Sequence, residues 1–373
     1  MITRGSGEFD FTVVSNTLSQ DVRPAVRWLH VPVIRRPFPL KFASFYGLAA
    51  LYVARQQSEI VHTMGAIVPN RVDVATVHFC HAGYRERTRR LAQPEEPPIR
   101  RMNRAIGRLL AIGAERWSYR PGRVRKLAAV SSGVAAEAAR HYPGTSIEVT
   151  PNGVDTARFS RSWTGRSGFR KEAGANDTDI VTLFVGGDWA RKGLALAIRG
   201  VALAQKKVEN MQLWVVGRGE VKQYAELARS CGIADRVHFF GPQSRVEQFY
   251  PSADIFVLPS SYETFSLAAF EAAACGLPIV ATRVSGVDEL VGADEAGILV
   301  GRTAQAVGAA LRRLSLEPAM RERMGDKGRR RAETFTWQQS ADTVLALYRD
   351  LLATKTPSQE AQPLLVRNGS MPE

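Results

Sequence analysis

Short apolar runs recur along this chain, and between most of them lies a longer stretch with helical spacing. That alternation predicts strands separated by helices, and hence parallel sheets in an α/β fold. In the first half, strands are expected at residues 11–15, 26–33, 60–64, 74–79, 127–131 and 147–150, and helices at 39–57, 100–119 and 133–142. The turn cluster PNGVD at 151–155 and the polar, glycine-containing stretch 156–179 interrupt the pattern. It resumes with strands at 181–185, 212–216, 237–240, 255–258 and 279–281, and helices at 194–206, 221–231 and 245–250. Further helices are expected at 304–314, 319–335 and 337–352. The chain therefore reads as two domains, 1–150 and 151–336, then a helical segment 337–354. A tail at 355–373, rich in Pro, Ser, Gln and Gly, is expected to be disordered.

One helix in the second half departs from the amphipathic rule. It should begin near Ser266, because Thr264 and Ser266 are good N-cap types, and should stop at Gly276 with Pro278 beyond. Leu267, Ala268, Ala269, Phe270, Ala272, Ala273, Ala274 and Cys275 make it apolar all round, which predicts burial on most sides. Glu271 is then a lone carboxylate with no basic residue one turn away. Such a group needs donors from elsewhere, and sugar hydroxyls are one supply. Glu263 stands eight positions earlier, in the loop after an expected strand, where open α/β sheets bind ligands. The backbone N–H groups around Thr264, Phe265, Ser266 and Leu267 would face an anion.

The loop after the first strand of the second domain reads GGDWARKGL. Gly186 and Gly187 allow close approach of a ligand, and Arg191 and Lys192 supply positive charge before a helix. A glycine follows the lysine where a P-loop has Ser or Thr, so this is not a P-loop, and an ordinary surface loop is the competing reading of the basic pair. Gly217 and Gly219 lack the third glycine of a dinucleotide fingerprint and are read as serving a turn. His78 ends the apolar run ATVHF, and a hydrogen-bonded structural role is its default reading; His62 is a second, weaker candidate. Asp177 and Asp179 form a D-x-D at the amino end of a strand, away from the expected ligand edge, and are read as a solvated turn and not a metal site.

The glutamate spacing, with Gly276, Pro278, Gly286 and Glu289, resembles the E-x7-E donor motif of the family 4 retaining glycosyltransferases. That family usually reads EPFGL and then GG-x-x-E; here the segments are ETFSL and SGVDE, with Ser266 and Ser285 replacing two glycines. The PNGVD cluster also matches the point where the family's second domain begins. The resemblance implies a GT-B fold, two facing Rossmann-like domains, with residues 337–354 crossing back to the first. It implies a nucleoside-diphosphate sugar as donor, an alcohol acceptor (lipid, glycan or small molecule), retention of configuration, no cofactor and no bound metal. By the same resemblance Lys192 holds the donor diphosphate, with Arg191 standing in for an arginine that the family often has at the Gly187 position. Glu271 would hold the ribose, Glu263 the transferred hexose, and His78 would face that sugar from the first domain. Glu289 completes the donor set.

Composition narrows the remaining classes. The 373 residues are 45% hydrophobic and 23% charged, as in a globular protein, and the three cysteines have no ligand-like spacing, which fits a reducing cytoplasm. The longest apolar run of the first half is too short for a membrane span. The net charge of +14 calls for an anionic partner. Residues 85–126 hold thirteen basic and four acidic residues, and this patch is expected to face an anionic membrane surface, giving a peripheral position on its inner face. Nucleic acid is the rival partner, but aromatic residues are sparse there. A sugar-nucleotide epimerase and a truncated donor-binding pseudoenzyme compete with the glycosyltransferase reading. Family members open with a further strand and glycine-rich loop, so residues 1–10 are expected to leave the first domain short of its start.

Overall fold

The computed structural model describes residues 1–92, 97–161, 164–292 and 295–354; Glu95, Glu96 and the tail expected at 355–373 lie outside them. In the first half, β1 (Thr12–Ser15) and β2 (Arg27–His30) form a two-stranded sheet. A four-stranded sheet follows, with β3 (His62–Thr63), β4 (Val72–Val77), β5 (Val124–Ala129) and β6 (Ile147–Val149) in that order. The second half holds β7 (Ile180–Val185), β8 (Met211–Val216), β9 (Val237–Gly241), β10 (Ile255–Leu258), β11 (Ile279–Thr282) and β12 (Gly297–Val300). Every described strand pair is parallel. Such sheets are covered on both faces, which is why β8, β10 and β11 are wholly buried and β10 is apolar without alternation.

The second sheet runs β12-β11-β10-β7-β8-β9. The chain starts in the middle, builds outward through β8 and β9, then returns to build β10 to β12 on the other side. The switch falls between β7 and β10, where a crevice opens at the carboxyl ends of the strands. The helix Trp337–Ala353 leaves this domain through a capping box of Thr336 and Gln339. It buries Leu345, Tyr348 and Leu351 against Val74 and Ala128 of the first domain. The outgoing and returning chains touch where Val154 bridges Thr336.

Several local readings need correction. Residues 156–179 contain a helix, Arg166–Glu172, whose Arg170 is buried and binds Asp254, Ser252 O, Asn176 O and Asp179 O. Asp179 is accordingly no solvated turn: it is buried and accepts from Asn176 N at 2.7 Å and Gln212 Nε2 at 2.9 Å. A short helix, His81–Thr88, follows β4 where no helix was expected. That helix is set by Glu115, buried in the basic helix Pro98–Ser118, which accepts from His81 N, Ala82 N and the Tyr142 hydroxyl.

Burial outweighs these hydrogen bonds and raises the Glu115 carboxyl from 4.5 to about 7. The folded chain then keeps this proton over a range in which the unfolded chain has released it. Stability from this group is full below pH 4.5 and declines as pH rises to about 7. Glu115→Gln should flatten that decline, as measured by urea midpoints at about pH 5 and about pH 7.5. Equal slopes in both chains would refute the assignment.

Candidate active site

The loops at the switch point are built on close backbone approach. Gly186 has φ +142°, and the stem of Lys192 lies across it; a Cβ there would come within 2.6 Å of Lys192 Cδ and Cε. Gly217, with φ +128°, packs on the Gly186 backbone, and a Cβ would collide with Gly186 O. Gly217 therefore does more than serve a turn: it lets the β8 loop press on the β7 loop. Trp189 fastens the pair by donating from Nε1 to Gly186 O at 2.9 Å. Gly187 lies beside Arg218 O.

The β7 and β10 loops meet through charge. Glu263 is 8% exposed, and its Oε1 accepts from Lys192 Nζ at 2.8 Å, Ser260 Oγ at 3.0 Å and Arg191 Nη1 at 3.1 Å. Burial alone would raise this carboxyl, but Lys192 and Arg191 outweigh it and hold the group below the ordinary carboxylate range. Arg191 also binds Asp188 Oδ2 at 3.0 Å and Tyr262 O at 2.5 Å, so it works as a strut between the two loops. Burial lowers its pKa, and Glu263 and Asp188 more than reverse this. Gly186, Arg191, Lys192 and Glu263 are thus brought together.

The helix Leu267–Ala274 starts beside this cluster. Ser266 precedes it with φ +61°, the left-handed region that glycine occupies at little cost. Its hydroxyl does not cap the helix, contrary to the sequence reading; Ser266 Oγ is buried without a hydrogen-bond partner. The backbone turn, forced left-handed, points that side chain away from the first helical N–H groups. Phe265 is buried and stacks on Phe270 at 4.1 Å, which turns its side chain into the core, while Leu267 is exposed. Glu271 has a partner that the local sequence hid: the Tyr250 hydroxyl donates to its Oε2. Burial raises its carboxyl, partly offset by Tyr250.

Other expected residues sit elsewhere. Among the described residues no hydrogen bond joins Glu289 to Arg191, Lys192 or Glu263: its Oε1 accepts from Ser132 N at 2.6 Å and from the Ser132 hydroxyl, at the start of the first-domain helix Ser132–His141. A carboxylate suits that end of a helix. Thr264 likewise gives its carbonyl to Ser131 Oγ at 2.6 Å. His78 is exposed at the end of β4, and no side-chain hydrogen bond joins it to the cluster among the described residues. His62 is structural, its ring held between the Tyr348 hydroxyl and Thr76 Oγ1. Burial, then His78, pushes it down to about 4, which keeps it neutral.

The sequence reading missed the residues that join the domains here. Tyr262 is fully buried and donates to Glu137 Oε2 at 2.8 Å and Cys80 O at 3.1 Å, with Phe79 and Tyr84 packed on its ring. An aromatic residue next to Glu263 was the available signal. From the other side, the basic helix sets Arg100 on Glu220 at 2.6 Å and Arg104 near Asp188 at 3.7 Å.

Two parallel α/β domains, a charged crevice at a switch point and a helix returning to the first domain define a GT-B glycosyltransferase architecture. The family pattern described as Glycosyl transferases group 1 matches residues 166–331, and that described as Glycosyltransferase Family 4 matches residues 5–158. The D-inositol 3-phosphate glycosyltransferase of Thermobifida fusca is 31% identical over 316 residues, 79% of this chain and 70% of that protein. The crystal structure of WaaG, a glycosyltransferase involved in lipopolysaccharide biosynthesis, superposes with a TM-score of 0.76 at 21% identity, covering 92% of both chains. Anabaena HepE in complex with UDP and glucose gives a TM-score of 0.61 at 18% identity, covering 83% of this chain and 77% of that one. The chain belongs to the group 1, family 4 glycosyltransferases.

Proposed function

We propose that this glycosyltransferase moves a hexose from a nucleoside-diphosphate sugar to an alcohol acceptor, with retention and without a bound metal. The observation that carries the reading is the shared Glu263 carboxylate between Lys192 and Arg191, beside the unpartnered Ser266 hydroxyl. Because Arg191 also holds Glu263, Lys192 can turn toward a diphosphate without leaving that carboxylate unpaired. As the diphosphate departs, Lys192 and the first N–H groups of the Leu267–Ala274 helix face the developing charge. Glu271 holds ribose hydroxyls, Glu263 the hexose, and His78 approaches from the first domain. The Thermobifida fusca relative is named for a phosphorylated cyclic alcohol, and an acceptor of related chemistry fits the arginine-rich first domain.

A thermal-shift panel of UDP, GDP, ADP and TDP sugars tests the donor. The right sugar nucleotide at about 100 times its dissociation constant adds roughly 2.7 kcal/mol of apparent stability. Glu271→Ala should weaken free nucleoside diphosphate by about tenfold in calorimetry, the loss of one good hydrogen-bonding group. Unchanged affinity would remove Glu271 from the ribose site. Turnover that needs no added alcohol would point to an epimerase.

The acceptor side suggests a lipid surface. Ile99, Met102, Ile106 and Leu110 are exposed on the basic helix, interleaved with Arg100, Arg101 and Arg104, and exposed Phe38 and Leu40 begin the neighbouring helix. No described helix is long and apolar enough to cross a membrane. An amphipathic face of this kind lies in the interface and adds electrostatic attraction of roughly 1 kcal/mol per basic residue. The chain should sediment with anionic liposomes at low salt and less so at high salt. Failure at both salts, with tight binding to nucleic acid, would favour the rival partner.

A further inference from the structure

A second basic site lies on the seam between the domains. A cleft of about 460 Å³ is lined by Arg87 and Arg90 from the first domain and by Arg283 and Arg302 from the second. Arg87 donates to Arg283 O, so the cleft is closed by a contact across the seam. Every charged residue lining it is an arginine; Asp288, which pairs with Arg283 at 3.1 Å, stands outside the lining. Its floor is the carboxyl ends of β10 and β11, where Thr282 Oγ1 donates to Ser260 O at 2.6 Å. Guanidinium groups reach this cleft from both domains, and the oxygens of a phosphate match the guanidinium fork.

We propose that this cleft is an anion site, separate from the donor cluster, that takes a terminal phosphate or diphosphate group and fastens the two domains together. It uses none of Arg191, Lys192 or Glu263, so it stands or falls apart from the donor reading. Ser260 is the link between the two: its carbonyl belongs to the floor of the cleft, and its hydroxyl binds Glu263 Oε1. An anion held here therefore steadies the loop that carries the donor carboxylate.

Pyrophosphate is the probe, titrated by calorimetry into the full chain. The Lys192→Ala background removes the main rival phosphate ligand at the donor loop. In that background pyrophosphate should still bind, and Arg90→Gln or Arg302→Gln should each weaken it at least about tenfold, since each takes away one charge-assisted contact. Both arginines are exposed, and circular dichroism checks that the variants fold. Pyrophosphate should also lower the radius of gyration in small-angle scattering, an effect lost in both variants. Vesicles bearing phosphatidic acid separate the natural sources. Pyrophosphate-sensitive, Arg302-dependent vesicle binding assigns a lipid headgroup, and its absence beside tight pyrophosphate binding assigns a soluble phosphate. Pyrophosphate affinity unchanged by either arginine substitution, or abolished by Lys192→Ala alone, overturns the proposal.

Discussion

Lys192→Ala should lower the turnover rate by about 10² to 10³ at saturating donor, the loss expected when one stabiliser of developing charge is removed. The fold should survive, because Glu263 keeps Arg191 at 3.1 Å and Ser260 at 3.0 Å once the ammonium at 2.8 Å is gone. The effect belongs in kcat, since charge on the departing diphosphate is greatest in the transition state. Gly186 makes the same point from the other side: the stem of Lys192 is threaded over a position with room for no Cβ. A rate unchanged at saturating donor would remove Lys192 from the chemistry.

Glu263→Ala has the larger effect on stability. It leaves Arg191 and Lys192 adjacent in a mostly buried site without their shared counter-charge, and breaking such a pair costs about 3 kcal/mol. Transfer should slow as well, while free nucleoside diphosphate binds with unchanged affinity, in contrast to the weakening expected of Glu271→Ala. The pH dependence is opposite in sign to that of Glu115. The Glu263 carboxyl lies below its ordinary value in the folded chain, so its contribution is full above the unfolded pKa and is lost as pH falls through the folded one. Glu263→Ala should therefore lose less stability on acidification than the parent chain. Urea unfolding across the acid range measures this, and parallel curves for the two chains would contradict it.

Much of the fold was legible because buried parallel strands need continuous apolar runs. β10, Ile255–Leu258, and β11, Ile279–Thr282, stand out from their surroundings by that alone. β12, Gly297–Val300, passed unnoticed because an edge strand is only half-covered and carries a weaker signal. The helices His81–Thr88 and Arg166–Glu172 were missed for a related reason. They are short, and their ends are held by distant groups, Glu115 for the first and contacts of Arg170 for the second.

The alternation of strands and helices, the two-domain α/β class, the family, and the spacing that singled out Lys192, Glu263 and Glu271 can all be read along the chain. These are properties of local pattern, written in burial periodicity and turn chemistry at neighbouring positions. The partnerships between side chains come from the packing of distant segments. Tyr250 reaches Glu271, Arg191 and Lys192 share Glu263, Tyr262 crosses to Glu137, and Glu289 caps a helix of the other domain. The physical reason is that a buried carboxylate must find donors wherever the folded chain brings them, and hydrogen bonds act over about 3 Å of space irrespective of separation along the chain.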